Sequence, residues 1–135
     1  MTPIRGLALH VYHTQLFSFC YDFEGRQRRF EYKNPAEVPL RLRLFKMVVG
    51  PLPPAVAEAV AACEVAYAVY DQTSAASVQS KAAFSQAEAA AAYDGAADAL
   101  DRALVANWPE MLALHERECP DCPWDGETIF SKEAL

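Results

Sequence analysis

An alanine-rich stretch between residues 55 and 106 limits what this chain can fold into more than any other feature. Of its 52 residues, 21 are alanine, one is glycine and none is proline. Alanine has the highest helix propensity, and the preceding Pro53-Pro54 suits the first turn of a helix. Larger side chains follow a 4-3-4-3 spacing, as in a coiled coil, which places them on one helical stripe: Val56, Val60, Cys63, Tyr67 and Tyr70.

A single helix over this stretch would be about 80 Å long at 1.5 Å per residue, which is too long for a compact chain of this size. The stretch therefore predicts an antiparallel helical hairpin that reverses near Asp71–Ser77. A second break is expected at Asp94-Gly95, because glycine weakens a helix. Alanine-rich stripes also allow helices of two chains to pair, so a homo-oligomer is an alternative.

The N-terminal third has the residue pattern of β-strands. Residues 7–12, 15–23 and 26–33 are rich in aromatic and aliphatic side chains. Glu24-Gly25 supplies a turn between the second and third of these segments, because glycine tolerates the positive φ of tight hairpins. The pattern predicts a three-stranded antiparallel β-meander.

Residues 39–48 fit two structures. Leu40, Leu42 and Leu44 alternate with arginines, as in a strand, whereas Pro39 and the following Gly50-Pro51 suit the start and the end of a helix. We favour the helix. A second short helix is predicted over 107–118 and a closing strand at 128–130. The fold class is therefore α+β in one domain, 1–135, divided into 1–50 (meander and short helix), 53–106 (hairpin) and 107–135 (helix and cysteines).

The cysteines are expected to be reduced. No apolar run approaches the roughly 20 residues that cross a bilayer, and no export signal is visible near the start, so no membrane association and a cytoplasmic location are expected. In a reducing compartment, neighbouring cysteines are metal ligands or core residues more often than disulfides.

Cys119-Pro-Asp-Cys122 is the best candidate for chemistry. Two thiolates on a tight turn suit one edge of a tetrahedral zinc site, and His115 lies one helical turn earlier. A fourth ligand would come from Cys20, His13, His10 or Cys63. The competing interpretation is two reduced cysteines beside a proline turn. A redox role fits poorly, because the cysteines follow a helix C-terminus in an acidic run.

Charge is unevenly distributed along the chain. Residues 1–46 carry a net charge of +4 and residues 47–135 a net charge of −10. The basic residues of the first part could bind nucleic acid or form the solvated face of a sheet: Arg26, Arg28, Arg29, Lys33, Arg41 and Arg43. The acidic helices could instead bind a basic groove on a protein partner. A small enzyme centred on His10, His13 and Cys20 is a further alternative.

Three parts of the chain carry a resemblance. Arg41-Leu-Arg-Leu-Phe45, the alanine-rich Tyr-Asp segments and the tail from Leu114 to Phe130 resemble small proteins encoded by tailed phages and prophages. The resemblance implies an accessory factor that binds a host protein, including inhibitors of defence systems of the anti-CRISPR type. The function expected is thus a non-enzymatic interaction protein with a structural zinc; the alternative is a zinc-containing nucleic-acid-binding protein.

Overall fold

The computed structural model describes residues 4–76 and 82–130, and the chain divides into two compact units. The first unit comprises Met1–Pro51 and Met111–Leu135, and the second comprises Leu52–Glu110. The prediction of one domain over 1–135 stays a prediction. The described elements are β1 (Gly6–Leu9), β2 (Phe17–Cys20), α1 (Phe23–Phe30), α2 (Val38–Leu44), β3 (Lys46–Met47), α3 (Pro54–Ala76), α4 (Ala82–Ala106) and α5 (Trp108–Glu118).

A small three-stranded antiparallel sheet combined with five helices in the described residues confirms the predicted α+β class. Its strand order is β2-β1-β3, so β1 is central and all four of its residues are buried. Gly6 pairs with Cys20 and Leu9 with Phe17, while Ala8 pairs with Met47 on the other side. Because β3 lies beside β1 and not beside β2, the predicted meander order is wrong.

The predicted third strand at 26–33 and the turn at Glu24-Gly25 are also wrong, because helix α1 begins at Phe23. The side chain of Asp22 accepts a hydrogen bond from Gly25 N and caps the helix. Glu24 in the first turn and two arginines in the last turn suit the helix dipole. These end signals outweigh the aromatic content that suggested a strand.

The short helix expected over 39–48 is confirmed as α2, Val38–Leu44, and the last residues of the segment form part of β3. Pro39 lies in the first turn, where a missing N–H costs nothing. The alternating leucines therefore do not form the alternative strand. Leu44 is buried on the inner face of the helix.

The core of the first unit is aromatic. Phe45 stacks on Phe23 with ring centroids 4.5 Å apart and meets Phe30 edge-on at 5.2 Å. Ala8, Val11 and Cys20 complete this cluster of buried residues. Buried aromatic rings contribute the most apolar area per residue, so a few of them can hold short elements together.

The second unit contains the two long helices of the predicted hairpin. The rings of Tyr67 and Tyr70 on α3 lie 5.4 Å and 6.4 Å from that of Tyr93 on α4, and Val56, Val60 and Cys63 are buried, as the predicted stripe requires. The predicted reversal at 71–77 is wrong for 71–76, which are helical; Ser77 lies outside the described residues.

Helix α4 runs through the break expected at Asp94-Gly95, so that prediction is wrong as well. A lone glycine costs about 1 kcal/mol relative to alanine, which is too little to interrupt a helix of 25 residues with a buried face. Within the described residues, no helix combines the length and the apolar character of a membrane span.

The C-terminal segment follows α5, which confirms the helix expected over 107–118. The closing strand predicted at 128–130 is not formed. Instead, Ile129 is fully buried and its backbone N–H donates to the carbonyl of His13 at 3.0 Å. The segment after α5 is thus held against the N-terminal residues by individual contacts and not by a β-ladder.

Candidate metal centre

Helix α5 presents the first two side chains of the site. Met111, Leu114 and His115 lie on its buried face at helical spacing. The helix ends where Cys119 N donates to His115 O at 2.8 Å, which places both residues one turn apart on the same side. The fixed end of α5 therefore orients two potential ligands together.

A tight turn brings Cys122 back to the end of the helix. Asp121 has a φ of 60°, in the left-handed region that aspartate tolerates better than most residues. Residues 119–122, the cysteine knuckle, are thus one Cys-Pro-Asp-Cys turn. Cys119 is buried and Cys122 is half-buried.

His10 joins the site from the N-terminal segment of the first unit. It follows β1 directly, has a φ of 54° and is 2% exposed. Its backbone N–H donates to Leu16 O at 3.0 Å, which fixes the turn after the strand. A left-handed residue outside glycine is strained and recurs at functional sites.

Four potential ligand atoms converge here. The Nε2 atoms of His10 and His115 are 3.3 Å apart, and Cys122 Sγ is 3.2 Å from His10 Nε2. All four ligand atoms, including that of Cys119, lie within 4.8 Å of one another. In a tetrahedral site with Zn–N of about 2.0 Å and Zn–S of about 2.3 Å, neighbouring ligand atoms are roughly 3.3–3.8 Å apart. This His/Cys cluster can therefore hold a metal ion.

A hydrogen bond between the two cysteine side chains shifts their pKa values in opposite directions. A hydrogen bond from the Cys119 thiol lowers the pKa of Cys122 despite its burial, and bonds to His10 and His115 lower it further. The same bond, with burial, raises the pKa of Cys119 far above its ordinary value. The lowered pKa of Cys122 favours its thiolate, which is the form that binds metals.

The surroundings of the cluster restrict its movement. The carboxylate of Glu118 accepts hydrogen bonds from Val49 N at 2.6 Å and Gly50 N at 2.7 Å. A Cβ added at Gly50 would lie 2.6 Å from that carboxylate and 2.9 Å from the Leu114 side chain, so the ends of both side chains would have to shift to admit a larger residue. The residue before the first cysteine is therefore anchored to the chain after β3.

His10 has one further unusual property. Its Nδ1 is buried and has no hydrogen-bond partner among the described residues. A ligand histidine usually donates its second ring N–H to an acceptor, and that contact fixes the ring. Here the edge-on His115 ring, 5.3 Å away, and the Trp124 ring, 6.0 Å away, enclose the imidazole instead.

An open groove borders the cluster on one side. It is lined by the cluster residues of α5 and the knuckle, together with Leu112, Glu116, Asp121 and Trp124. The groove gives an ion a path to the half-buried Cys122. Four protein ligands, however, fill the coordination sphere of a tetrahedral metal and leave no position for a substrate, which is typical of structural sites.

The three ligands predicted from sequence, His115, Cys119 and Cys122, lie together, and His10 joins them from the four candidates for the remaining position. Cys20 lies in the aromatic core of the first unit, and Cys63 is buried in the second. His13 Nδ1 lies 3.0 Å from Thr128 Oγ1. The only sequence signal for His10 as a ligand was that the chain has three histidines, so few other candidates were available.

The suggested enzyme centre at His10, His13 and Cys20 does not form. His10 belongs to the His/Cys cluster, His13 bonds to Thr128 and Cys20 is buried among apolar side chains. Burial raises the pKa of the Cys20 thiol, which disfavours the nucleophilic thiolate. This arrangement offers no joint acid–base or nucleophilic chemistry.

The six basic residues predicted to bind a partner have different environments. Arg41 is buried, its guanidinium 4.9 Å from the Phe130 ring centroid and 3.2 Å from Glu37. Arg26 is half-buried, with its guanidinium 4.6 Å from the Tyr12 ring centroid. The other four are exposed: Arg28, Arg29, Lys33 and Arg43. Two members thus have internal contacts that the sequence did not reveal.

Comparison of the chain with protein-family models, with curated proteins and with solved structures found no match. The resemblance of residues 41–45 and 114–130 to small phage and prophage proteins accordingly stays a prediction. The functional argument that follows rests on the geometry of the His/Cys cluster and on the charge of the helices.

Proposed function

We propose that His10, His115, Cys119 and Cys122 bind one structural zinc ion. The observation that carries the proposal is the convergence of two imidazole nitrogens and two cysteine sulfurs within 4.8 Å. Two cysteines with two histidines are a common ligand set for structural zinc, and softer or redox-active metals are usually held in other geometries.

The zinc would act as a cross-link within the first unit. It joins His10, at the end of β1, to the end of α5 and the knuckle, which are more than 100 residues later in the chain. Closing so long a loop by a metal restricts the unfolded chain strongly. The expected result is a C-terminal segment that stays in place on the first unit.

The activity of the protein is then the binding of a protein partner, not catalysis. The second unit carries eight acidic residues and two basic ones, and all eight acidic residues are exposed. Val65 and Val69 are also exposed and lie one turn apart on α3. An acidic surface with apolar side chains fits a partner with a basic surface, and it repels nucleic acid.

Zinc binding is tested by elemental analysis of protein purified without added metal, in parallel with the Cys119→Ser variant. We expect about one zinc per chain, with a large loss in the variant and no loss in Cys63→Ser, the matched control in the second unit. The site would be refuted if the purified protein contained no metal and also took up no zinc when zinc was titrated in competition with a chelator.

Partner chemistry is tested by retention on immobilised poly-L-lysine, which stands in for a basic protein surface. Replacing Glu58, Glu64 and Asp98 by their amides should lower the eluting salt concentration clearly. The control replaces Glu24, Glu31 and Glu127 of the first unit, which should have a smaller effect. Equal effects of both sets would mean that net charge alone decides retention, which would contradict a binding surface on the helices.

Nucleic-acid binding by the six basic residues remains the alternative prediction. A gel shift of duplex DNA at low salt that is lost in Arg28→Gln/Arg43→Gln would favour it over the protein partner. A host protein or defence system as the partner, a cytoplasmic location and association through the alanine-rich helices stay predictions as well.

A further inference from the structure

A second concave site lies on the first unit, where β2 leads into α1. Its cavity measures about 120 Å³. The walls combine aromatic rings with two guanidinium groups: Tyr12, Phe19, Tyr21, Arg26 and Arg29. None of these residues belongs to the His/Cys cluster, so this cavity is independent of the proposed zinc.

The Arg26 side chain is only partly hydrogen-bonded within the protein. Its guanidinium donates to Val11 O at 3.2 Å and lies over the rings of Tyr12 and Phe30, at 4.6 Å and 5.5 Å from their centroids. Its Nε is buried and has no hydrogen-bond partner in the described part of the chain. Since Nε is closed to solvent, an anion in the cavity would stabilise the arginine through the positive charge of its half-buried guanidinium.

The charges around the cavity select a monoanion. Arg26 and Arg29 contribute two positive charges, and the Asp22 carboxylate contributes one negative charge. Asp22 is held in place because its Oδ1 accepts the N–H of Gly25 at the start of α1. Burial raises the pKa of Cys20, which therefore adds no charge. The net charge of the walls is thus +1, which suits a carboxylate better than a phosphate dianion.

The size and the rings of the cavity select the rest of the ligand. A buried cavity of about 150 Å³ is known to accept one benzene molecule, whereas drug-sized ligands need at least about 300 Å³. A volume of about 120 Å³ therefore suits a single ring or a group of similar size. Aromatic walls favour a flat apolar ligand, and arginine pairs well with a planar carboxylate.

We propose that the cavity between β2 and α1 binds a small aromatic monocarboxylate, whose carboxylate accepts hydrogen bonds from Arg26 and Arg29 and whose ring packs against Tyr12 and Phe19. The ligand can be a free metabolite or the aromatic acid group of a larger molecule, since both present the same chemistry. A carboxylate bound here would offset the positive charge of the two guanidinium groups that line the cavity.

The test is a titration of the purified protein with benzoate, followed by the backbone amide signals of residues 11–29 in NMR spectra. We expect saturable shifts with a dissociation constant of about 1 mM, as befits so small a ligand. Arg29→Gln should weaken binding about tenfold, because a charge-assisted hydrogen bond is lost. Arg28→Gln, an exposed neighbour on α1 that does not line the cavity, should leave the constant unchanged.

Two further probes, one uncharged and one with a higher negative charge, complete the test. Benzamide has the ring without the charge and should bind at least tenfold more weakly than benzoate. Inorganic phosphate should not displace benzoate at equal concentration. Binding of benzamide as tight as that of benzoate, displacement by phosphate, or unsaturated shifts at tens of millimolar would each overturn the proposal. The zinc content, measured on the same samples, separates this result from the fate of the metal centre.

Discussion

The two compact units reach a stable core by different means. The first unit has strands of four, four and two residues, and its elements are joined by irregular segments. The second has helices of 23 and 25 residues, which satisfy their own backbone and repeat the same contact along their length. The first unit relies on a few aromatic rings and on contacts between distant residues.

This difference teaches where a cross-link is useful. A regular pair of helices distributes its stability over many contacts along its length. A unit of short elements concentrates its stability at a few points, and small cores often need a metal or a disulfide to persist. The His/Cys cluster occurs in the unit with short elements.

The sharpest test of this contrast is removal of zinc. We expect loss of the metal to destabilise the first unit by about 4 kcal/mol when free zinc had exceeded its Kd a thousandfold. Hydrogen-exchange mass spectrometry should show faster exchange in peptides from 4–50 and 111–130 after chelation, while peptides from 55–73 and 86–106 change little. Equal changes in both sets would end the contrast between the units.

The complementary test truncates a buried side chain in the second unit and asks whether the first unit is affected. Leu100 is 2% exposed, and Leu100→Ala should lower the free energy of unfolding by about 3 kcal/mol through the cavity it leaves. Urea denaturation measures this loss. Val105→Ala is the control, since Val105 is 74% exposed and its replacement should change stability by less than about 0.5 kcal/mol. Zinc content should stay at its original value in both variants, and its loss in Leu100→Ala would contradict separate stabilisation.

The pH dependence of zinc affinity sharpens the contrast further. The lowered pKa of Cys122 favours loss of its proton before zinc binds, whereas the raised pKa of Cys119 means that zinc must displace the proton of that thiol. Zinc affinity should therefore rise about tenfold per pH unit near neutrality, and not a hundredfold as for two ordinary thiols. Calorimetry in buffers of different ionisation enthalpy counts the released proton. Release of two protons would contradict the opposite pKa shifts of the two cysteines.

The smallest expected effect concerns the anchor beside the knuckle. Glu118→Gln keeps the shape of the side chain but removes the charge that accepts from Val49 N and Gly50 N. We expect a loss of about 1 kcal/mol in the free energy of unfolding. Glu116→Gln, on the exposed side of the same helix, is the control and should be neutral. Equal stability of the two variants would show that the anchor contributes nothing measurable.

The helices were predictable because their signals are local. Alanine content and the 4-3-4-3 stripe from Val56 to Tyr70 define α3 within the chain itself. The third strand was not predictable, because β3 is only two residues long and depends on β1 for its partner. Helix α1 was missed because its cap at Asp22 is easily read as part of a turn.

The candidate metal centre was predictable in part for the same reason. His115, Cys119 and Cys122 lie within eight residues, so their spacing alone suggested a shared site. His10 is separated from His115 by 105 residues, and no local pattern connects them. Only the turn after β1, with its left-handed His10, brings the fourth ligand into place.

That separation also has a consequence for how the protein is made. Ribosomes add roughly 5–20 residues per second, so His10 is synthesised about 5–20 seconds before its partner ligands. During that interval β1 and β2 have been synthesised without the residues that complete the cluster, while α3 can already form from local contacts. The candidate metal centre can therefore form only after residue 122 has been synthesised, and zinc binding would report that translation has passed that point.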